Sequence, residues 1–248
     1  MNILYAAATH RGSRADNQDC LYADGWVAQA SGTRSSGAAE SAAGLLTYAV
    51  FDGMGGHAGG ALAAVVAGNA LASKMREYVG DISAADLAEV VDAASAAIDA
   101  VAADAPGLRG MGCTVAGVVL SDSVVHAFNV GDCRAYRLQS GYVVQISVDD
   151  RLRDESGRRS NVVTQSLGGS GDQRIDPHVH SFALDAPADI VLCSDGVHDA
   201  ITAEELERCV KAEHGGLVSP AEGVERIIAA VLAAGAPDNV SVLWLRLG

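Results

Sequence analysis

LLTYAVFDGMGGHAGG, residues 45–60, joins a predicted strand to a predicted helix through the most glycine-dense segment of the chain. The apolar run from Leu45 to Phe51 is β-prone and stops at Asp52-Gly53, which predicts a buried strand that ends in a carboxylate. From Gly60 to about Val79 the sequence is rich in alanine, and its apolar residues have helical spacing. The glycines before this helix could hold an anion on backbone N–H groups, but the lysine and hydroxyl residue of a nucleotide-binding P-loop are absent.

On both sides of this segment in the sequence, other predicted strands and helices occur in groups. Further strands are predicted at residues 3–9, 20–28, 113–120, 124–130, 134–138, 142–148, 179–184, 190–193 and 240–247, and further helices at 83–103, 203–212 and 220–234. Residues 32–41 are predicted to be a loop, the four strands between 113 and 148 an antiparallel meander, and the strands at 179–184 and 190–193 a pair. Because βαβ alternation is absent, the pattern indicates an α+β fold of stacked layers.

The length and composition of the chain fit one domain. Of its 248 residues, 49% are hydrophobic, and no repeat, low-complexity tract or long linker divides it. This hydrophobic content is sufficient for a sizeable core. We therefore expect residues 1–248 to form a single domain, and we expect a monomer.

The charge and the cysteines limit the partners and the compartment. Thirty-one acidic and 17 basic residues give a net charge of -14, which repels nucleic acid and anionic membranes. No run approaches the ~18 apolar residues of a membrane helix, and the N-terminal MNILYAAATHRG has no basic leader. The five cysteines are scattered without a CxxC pair, which argues against disulfides or a zinc site. We expect no nucleic-acid partner, no membrane partner and a cytoplasmic location.

Three aspartates lie beside apolar strands and next to turn-forming residues: Asp52 in AVFDGMGGH, Asp195 in VLCSDGVHD and Asp238 in APDNVSVLWL. A carboxylate at a strand end has a rigid support, and an adjacent glycine such as Gly53 lets a main-chain carbonyl approach the same ion. Oxygen donors favour hard cations such as Mg²⁺, Ca²⁺ or Mn²⁺. Each of these motifs alone is usually only a turn, but the three together predict a metal site.

Arg14 is the candidate residue for binding a phosphoryl group. It lies in GSRADNQD, a polar turn between two predicted strands, and a guanidinium can donate two hydrogen bonds to a phosphate. Taken alone, it would be interpreted as a solvated loop residue. No cysteine is followed six positions later by an arginine, so the cysteine nucleophile of a phosphate-binding loop is absent, and the histidines form no HExxH zinc motif.

Seven short motifs follow one another between residues 12 and 242. They are GSRADNQD (12–19), FDGMGGHAGG (51–60), GCT (112–114), NVGDCRAY (129–136), TQSLG (164–168), CSDGVHD (193–199) and DNVSV (238–242). In this order they resemble the motifs GxRxxNxD, DGMGG, GTT, VGDSRxY, TRxLG, SDGxxD and DNxT of the metal-dependent protein phosphatases of type 2C, the PPM family, in its bacterial form. Any one motif would be weak evidence, whereas seven in the correct order cover nearly the whole chain.

The resemblance implies an αββα sandwich, in which helices flank two antiparallel sheets and a binuclear Mn²⁺ or Mg²⁺ site lies at one end. By position, Asp52 would bridge both ions, the Gly53 carbonyl would bind one, and Asp195 and Asp238 would hold the other. Asp132 corresponds to a residue that helps to hold a third, weaker metal in some bacterial relatives.

Two further roles follow from the same resemblance. Asp19 would support a metal-held water without touching the metals, and Arg14 would orient the phosphate. The implied reaction is hydrolysis of phosphoserine or phosphothreonine on proteins, because a water between two divalent ions has a lowered pKa and the ions offset charge on the phosphoryl oxygens. No phosphoenzyme is then required.

The implied partner is a phosphorylated protein of a bacterial serine/threonine kinase pathway, or a small regulatory protein phosphorylated by an anti-sigma-factor kinase. Two alternatives remain open. The first is a non-catalytic relative that binds a phosphoprotein without hydrolysing it. The second is a metal phosphoesterase that acts on a nucleotide or another small phosphoester.

Two features depart from the pattern of other family members. Met54 stands where animal members carry a histidine proposed as the general acid, although bacterial relatives commonly have methionine there too, so the general acid is unknown, and His57 is an outlying candidate. The segment 149–163 is short where bacterial relatives have a mobile flap, so we expect the flap subdomain to be short or absent. Four of its arginines (151, 153, 158 and 159) could contact a phosphoprotein or lie in a solvated loop.

Overall fold

A computed structural model of the chain describes residues 2–40, 44–55, 57–121, 123–139, 142–153, 159–169, 174–184, 187–213 and 215–248. For residues 40, 57, 58, 153, 159 and 161 the description covers the backbone alone. The interpretations placed on Arg153, Arg158 and Arg159, and on the side chain of His57, lie outside this description.

Strands and helices follow one another in the grouped order that the sequence predicts. The strands are β1 (Asn2–His10), β2 (Cys20–Ala23), β3 (Trp26–Ala28), β4 (Arg34–Glu40), β5 (Leu46–Met54), β6 (Gly112–Leu120), β7 (Val124–Val130), β8 (Arg134–Gln139), β9 (Tyr142–Gln145), β10 (Arg151–Arg153), β11 (Arg159–Val163), β12 (Leu167–Gly168), β13 (His178–Ala183), β14 (Ala188–Cys193) and β15 (Val240–Leu247). The helices are α1 (His57–Met75), α2 (Ala84–Asp104), α3 (Asp195–His198), α4 (Ala203–Val210) and α5 (Pro220–Ala233).

Two antiparallel sheets pack face to face between helices. The first sheet has the strand order β4-β1-β15-β14-β8-β9, and the second sheet has the order β13-β7-β6-β5-β2-β3, with β12 paired to β6. One apolar cluster lies between the sheets, a second lies between the second sheet and α1 and α2, and a third lies between the first sheet and α4 and α5. This arrangement is the predicted αββα sandwich.

Burial on both faces explains why the central strands lack alternation. Every residue of β6, GCTVAGVVL, is buried, because one face of the strand meets the other sheet and the opposite face meets the helices. The helix α2 begins at a capping box, where the Ser83 side chain accepts a hydrogen bond from the Asp86 backbone N–H and Asp86 accepts one from the Ser83 N–H. On the other side, α5 lies so close to β15 that a Cβ on Gly223 would be 1.9 Å from the Trp244 ring.

Three predicted features of the topology are wrong. Residues 34–40 of the expected loop form β4, an edge strand paired with β1. The expected meander divides, because β6 and β7 lie in the second sheet whereas β8 and β9 lie in the first. The expected pair of β13 and β14 divides in the same way, since β13 pairs with β7 and β14 pairs with β8 and β15.

Within the segment predicted to be a short flap, the described strands β10 and β11 form a two-stranded ribbon. In the part of the segment that the structure describes, these strands pair with neither main sheet. Among the helices of the described ranges, none is both long and apolar enough to cross a membrane.

Candidate active site

Asp52 and Gly53 lie near the end of the central strand β5, opposite Thr114 and Cys113 of β6. The glycine is required by close approach of the backbone: a Cβ on Gly53 would lie 2.2 Å from the Gly60 carbonyl oxygen and 2.7 Å from that of Gln18. The end of the strand, the start of α1 and the segment before β2 therefore converge at this point. Asp52 itself is half-buried.

Asp195 and Asp238 lie at adjacent ends of neighbouring strands in the first sheet. Asp195 begins α3 just after β14, and Asp238 precedes β15, which pairs with β14. The backbone N–H of Ser194 donates to the Ser241 carbonyl at 3.1 Å, and that of Ser241 donates to Ser194 Oγ at 3.0 Å. These bonds fix the two carboxylates on one edge of the sheet.

Asp19 lies beneath these carboxylates and is fully buried. Its Oδ2 accepts a hydrogen bond from Ser194 Oγ at 2.8 Å, whereas Oδ1 has no hydrogen-bond partner in the described part of the chain. Burial raises the pKa of Asp19 to about 7, the hydroxyls of Ser194 and Ser241 oppose the rise, and Asp195 and Asp238 add to it. An unpartnered buried carboxylate oxygen indicates a place where a proton, a water or a cation belongs.

The acidic groups of the site repel one another. The pKa of Asp52 is raised well above its usual value by burial and then by the charges of Asp19, Asp195 and Asp132. Burial also raises the pKa of Asp195 to about 6, with Asp132 and Asp238 adding to the rise and Arg151 opposing it. Such a cluster is unfavourable without added positive charge. Carboxylate oxygens beside a glycine carbonyl are the kind of ligand atoms that hard divalent cations prefer.

Two arginines hold carboxylates that the sequence assigns to metals. Arg14 Nη2 donates to Asp238 Oδ2 at 2.7 Å, and its Nε donates to the Pro237 carbonyl at 3.2 Å. Arg151 pairs with Asp132, and with Asp195 at 2.7 Å. In the described ranges, no three or more His, Cys, Asp or Glu side chains are spaced to share one metal ion. The donors are therefore together in one region, but two of the carboxylates face arginines.

The site opens to a cleft of about 340 Å³. Residues from three segments line it: Arg14, Ala15, Asp16, Gln18, Gly53, Met54, Gly55, Asp238 and Asn239. The Arg14 side chain is 58% exposed, so its guanidinium is accessible to a ligand in the cleft. Met54 lines the cleft and cannot donate a proton, and no described residue identifies the general acid.

The interpretation of Arg151 as a solvated or phosphoprotein-binding residue is wrong. Its side chain is 5% exposed and is surrounded by carboxylates. Sequence reasoning missed this residue because the run DDRLRDESGRRSN resembles a solvated segment. Asp199, the third carboxylate paired with Arg151, was also missed, although it closes the quoted motif CSDGVHD.

Known proteins are similar to this chain in sequence. The sequence pattern of the family described as protein phosphatase 2C matches residues 9–232. The serine/threonine protein phosphatase PstP of Mycobacterium tuberculosis is 30% identical over 97% of this chain, and the alignment covers 44% of that relative. The serine/threonine phosphatase stp of Listeria monocytogenes is 28% identical, over 79% of this chain and 82% of the relative. The chain thus spans less than half the length of PstP.

A solved structure extends the similarity to the fold. The crystal structure of the PstP catalytic domain in complex with two manganese ions has a TM-score of 0.79 and 30% identity, and the match covers 100% of both chains. Together with the family match, this confirms the resemblance stated from the motifs. The chain belongs to the protein phosphatase 2C family.

Proposed function

We propose that the chain is a metal-dependent phosphatase that hydrolyses phosphoserine and phosphothreonine on other proteins. The observation that carries the proposal is the cluster of mutually repelling carboxylates beneath an exposed arginine. Such a cluster is poised for cations, and cations beside an arginine form a site for a phosphate group. The manganese-containing PstP catalytic domain supports the same reading.

Each site residue has one role in this proposal. Asp52, the Gly53 carbonyl, Asp195 and Asp238 would hold two divalent cations. Mn²⁺ or Mg²⁺ bound there would supply the positive charge that activates a water and offsets charge on the phosphoryl oxygens.

The remaining polar groups position the reactants. Asp19 Oδ1, which lacks a partner in the described structure, would accept a hydrogen bond from the attacking water. Arg14 binds the phosphoryl oxygens at the mouth of the cleft, where Pro237 and Asp238 already orient its guanidinium. No nucleophilic side chain is used, so the products are phosphate and the free hydroxyl of the substrate.

The substrate in this proposal is a phosphorylated protein of a serine/threonine kinase pathway. Relatives named serine/threonine phosphatases in Mycobacterium and Listeria support this class. A cytoplasmic location is part of the same proposal, since all five cysteines are buried and free, as in a reducing compartment. The proposal also keeps the monomer expected from the sequence.

The proposal is tested by phosphate release from a phosphothreonine peptide. We expect turnover with Mn²⁺, none with EDTA, and a loss of roughly 100-fold or more in Asp195→Asn, because the variant weakens both metal binding and charge stabilisation. Asp92→Asn, on the exposed face of α2, is the matched control and retains activity.

Other outcomes separate the two alternatives. A folded wild type without turnover in any metal would favour a non-catalytic phosphoprotein-binding protein. Turnover of nucleotides with little turnover of the phosphopeptide would favour a small-molecule phosphoesterase.

A further inference from the structure

Arg151 occupies the centre of a group of three carboxylates at one end of the site. Its Nε donates to Asp132, its Nη2 donates to Asp195 Oδ2 at 2.7 Å, and its Nη1 donates to Asp199 Oδ2 at 2.9 Å. The side chains of Arg151 and Asp132 are 5% and 3% exposed. One buried guanidinium thus uses all three of its nitrogens on separate carboxylates.

Asp150, the residue before Arg151, is held in place by contacts of its backbone and side chain with Gly131, Thr164 and His178. Asp150 N–H donates to the Gly131 carbonyl at 2.9 Å, and Gly131 N–H donates to Asp150 Oδ2 at 2.9 Å. His178 Nε2 lies 2.8 Å from Asp150 Oδ1, and the Thr164 N–H donates to the Asp150 carbonyl at 2.7 Å. Arg151 is therefore held in place by the fold rather than by its ion pairs alone.

His198 supports the carboxylate side of the same group. Its Nε2 lies 3.0 Å from the Asp132 carbonyl, and its Nδ1 lies 3.2 Å from Asp199 Oδ1. Both faces of the ion-pair cluster are thus braced by residues outside it. Because neighbouring residues hold this ion-pair cluster on both sides, we expect it to be a permanent feature of the site.

We propose that Arg151 is a built-in cation that occupies the position of a third metal ion, so that this chain binds two divalent cations and not three. The proposal rests on the proposed metal centre. A guanidinium that pairs with Asp132, Asp195 and Asp199 neutralises the charge that would otherwise attract a further ion. Asp132 is then a partner of Arg151 and not a metal ligand.

The test counts Mn²⁺ ions per chain by equilibrium dialysis and measures the Mn²⁺-induced rise in Tm. We expect two ions in the wild type and in Arg151→Lys, which keeps the positive charge. We expect a third ion and a larger rise in Tm in Arg151→Met, which removes the cation that pairs with Asp132, Asp195 and Asp199. The double variant Arg151→Met/Asp132→Asn returns to two ions, because the new site loses a ligand.

The single variant Asp132→Asn provides a test that does not depend on the folding of Arg151→Met. Its amide oxygen still accepts the Arg151 hydrogen bond, so Arg151 stays in place and we expect the ion count of the wild type. A third ion in the wild type, loss of an ion in Asp132→Asn, or two ions in a folded Arg151→Met would each overturn the role of Arg151 while leaving the proposed function intact. A wild type that binds no Mn²⁺ would overturn both.

Discussion

Asp19 shows how one buried side chain makes the stability of the metal-free protein depend on pH. Burial raises the pKa of Asp19 from 3.8 to about 7. A carboxyl whose pKa is raised by folding contributes stability that is fully present below pH 3.8 and is lost as the pH rises to about 7. The metal-free protein should therefore become less stable across this window, and a bound cation should reverse the effect by favouring the ionised form.

The substitution Asp19→Asn removes this titration. In EDTA, we expect the fall in the free energy of unfolding between pH 5 and pH 8 to shrink by on the order of 2 kcal/mol relative to the wild type. With Mn²⁺, the same variant should bind the metals more weakly because the negative charge and one of the two acceptor oxygens are lost. Urea unfolding at several pH values measures the first effect, with Asp92→Asn as the control. Parallel pH curves for variant and wild type would contradict the role of Asp19.

The sequence pointed to the acidic residues that the fold brings into one region, but it did not indicate how they pair. Asp52, Asp195 and Asp238 each end or begin an apolar strand, so local pattern and motif order pointed to them. The partners of Asp195 and Asp238 are arginines that are distant in the chain. A charged loop residue and a buried one look the same in a local sequence window, so only the fold could reveal the burial of Arg151.

Among the secondary-structure elements, the sequence predicted the long helices and central strands better than the edge strand β4 and the assignment of strands to the two sheets. The edge strand β4 was missed because RSSGAAE lacks apolar alternation, and its pairing with β1 depends on backbone hydrogen bonds, which any sequence can make. The division of the expected meander occurs between β7 and β8 at Gly131, whose φ of 88° turns the chain from one sheet to the other. Strand patterns carry no information about which sheet a strand joins.

The cap of α2 allows a prediction about one element. Ser83 and Asp86 exchange side-chain and backbone hydrogen bonds at the start of this helix, and α2 packs on α1 over the second sheet. Ser83→Ala should reduce the free energy of unfolding by about 1 kcal/mol, because a first-turn N–H loses its acceptor. Ser83→Thr keeps the hydroxyl and should remain close to the wild type in urea unfolding. Equal stability of the two variants would show that the cap contributes nothing.

At the scale of the whole molecule, the proposed centre connects the two sheets. Asp52 comes from the second sheet, whereas Asp195 and Asp238 come from adjacent strand ends of the first. Asp19 precedes β2 in the second sheet and accepts its hydrogen bond from Ser194 beside the first. Metal binding should therefore stabilise the packing of one sheet on the other and not only the local loops.

This arrangement predicts that ligands from either sheet are equally necessary for stabilisation by metal. An ion that binds only the folded state raises the free energy of unfolding by ~2.7 kcal/mol at a concentration of about 100 times its Kd. We expect Mn²⁺ to raise the Tm of the wild type and of Asp92→Asn, and we expect Asp52→Asn and Asp195→Asn each to remove most of that rise. Thermal unfolding in Mn²⁺ and in EDTA at one pH measures the difference. A full rise in either ligand variant would mean that the ions are held within a single sheet, contrary to a centre shared by both.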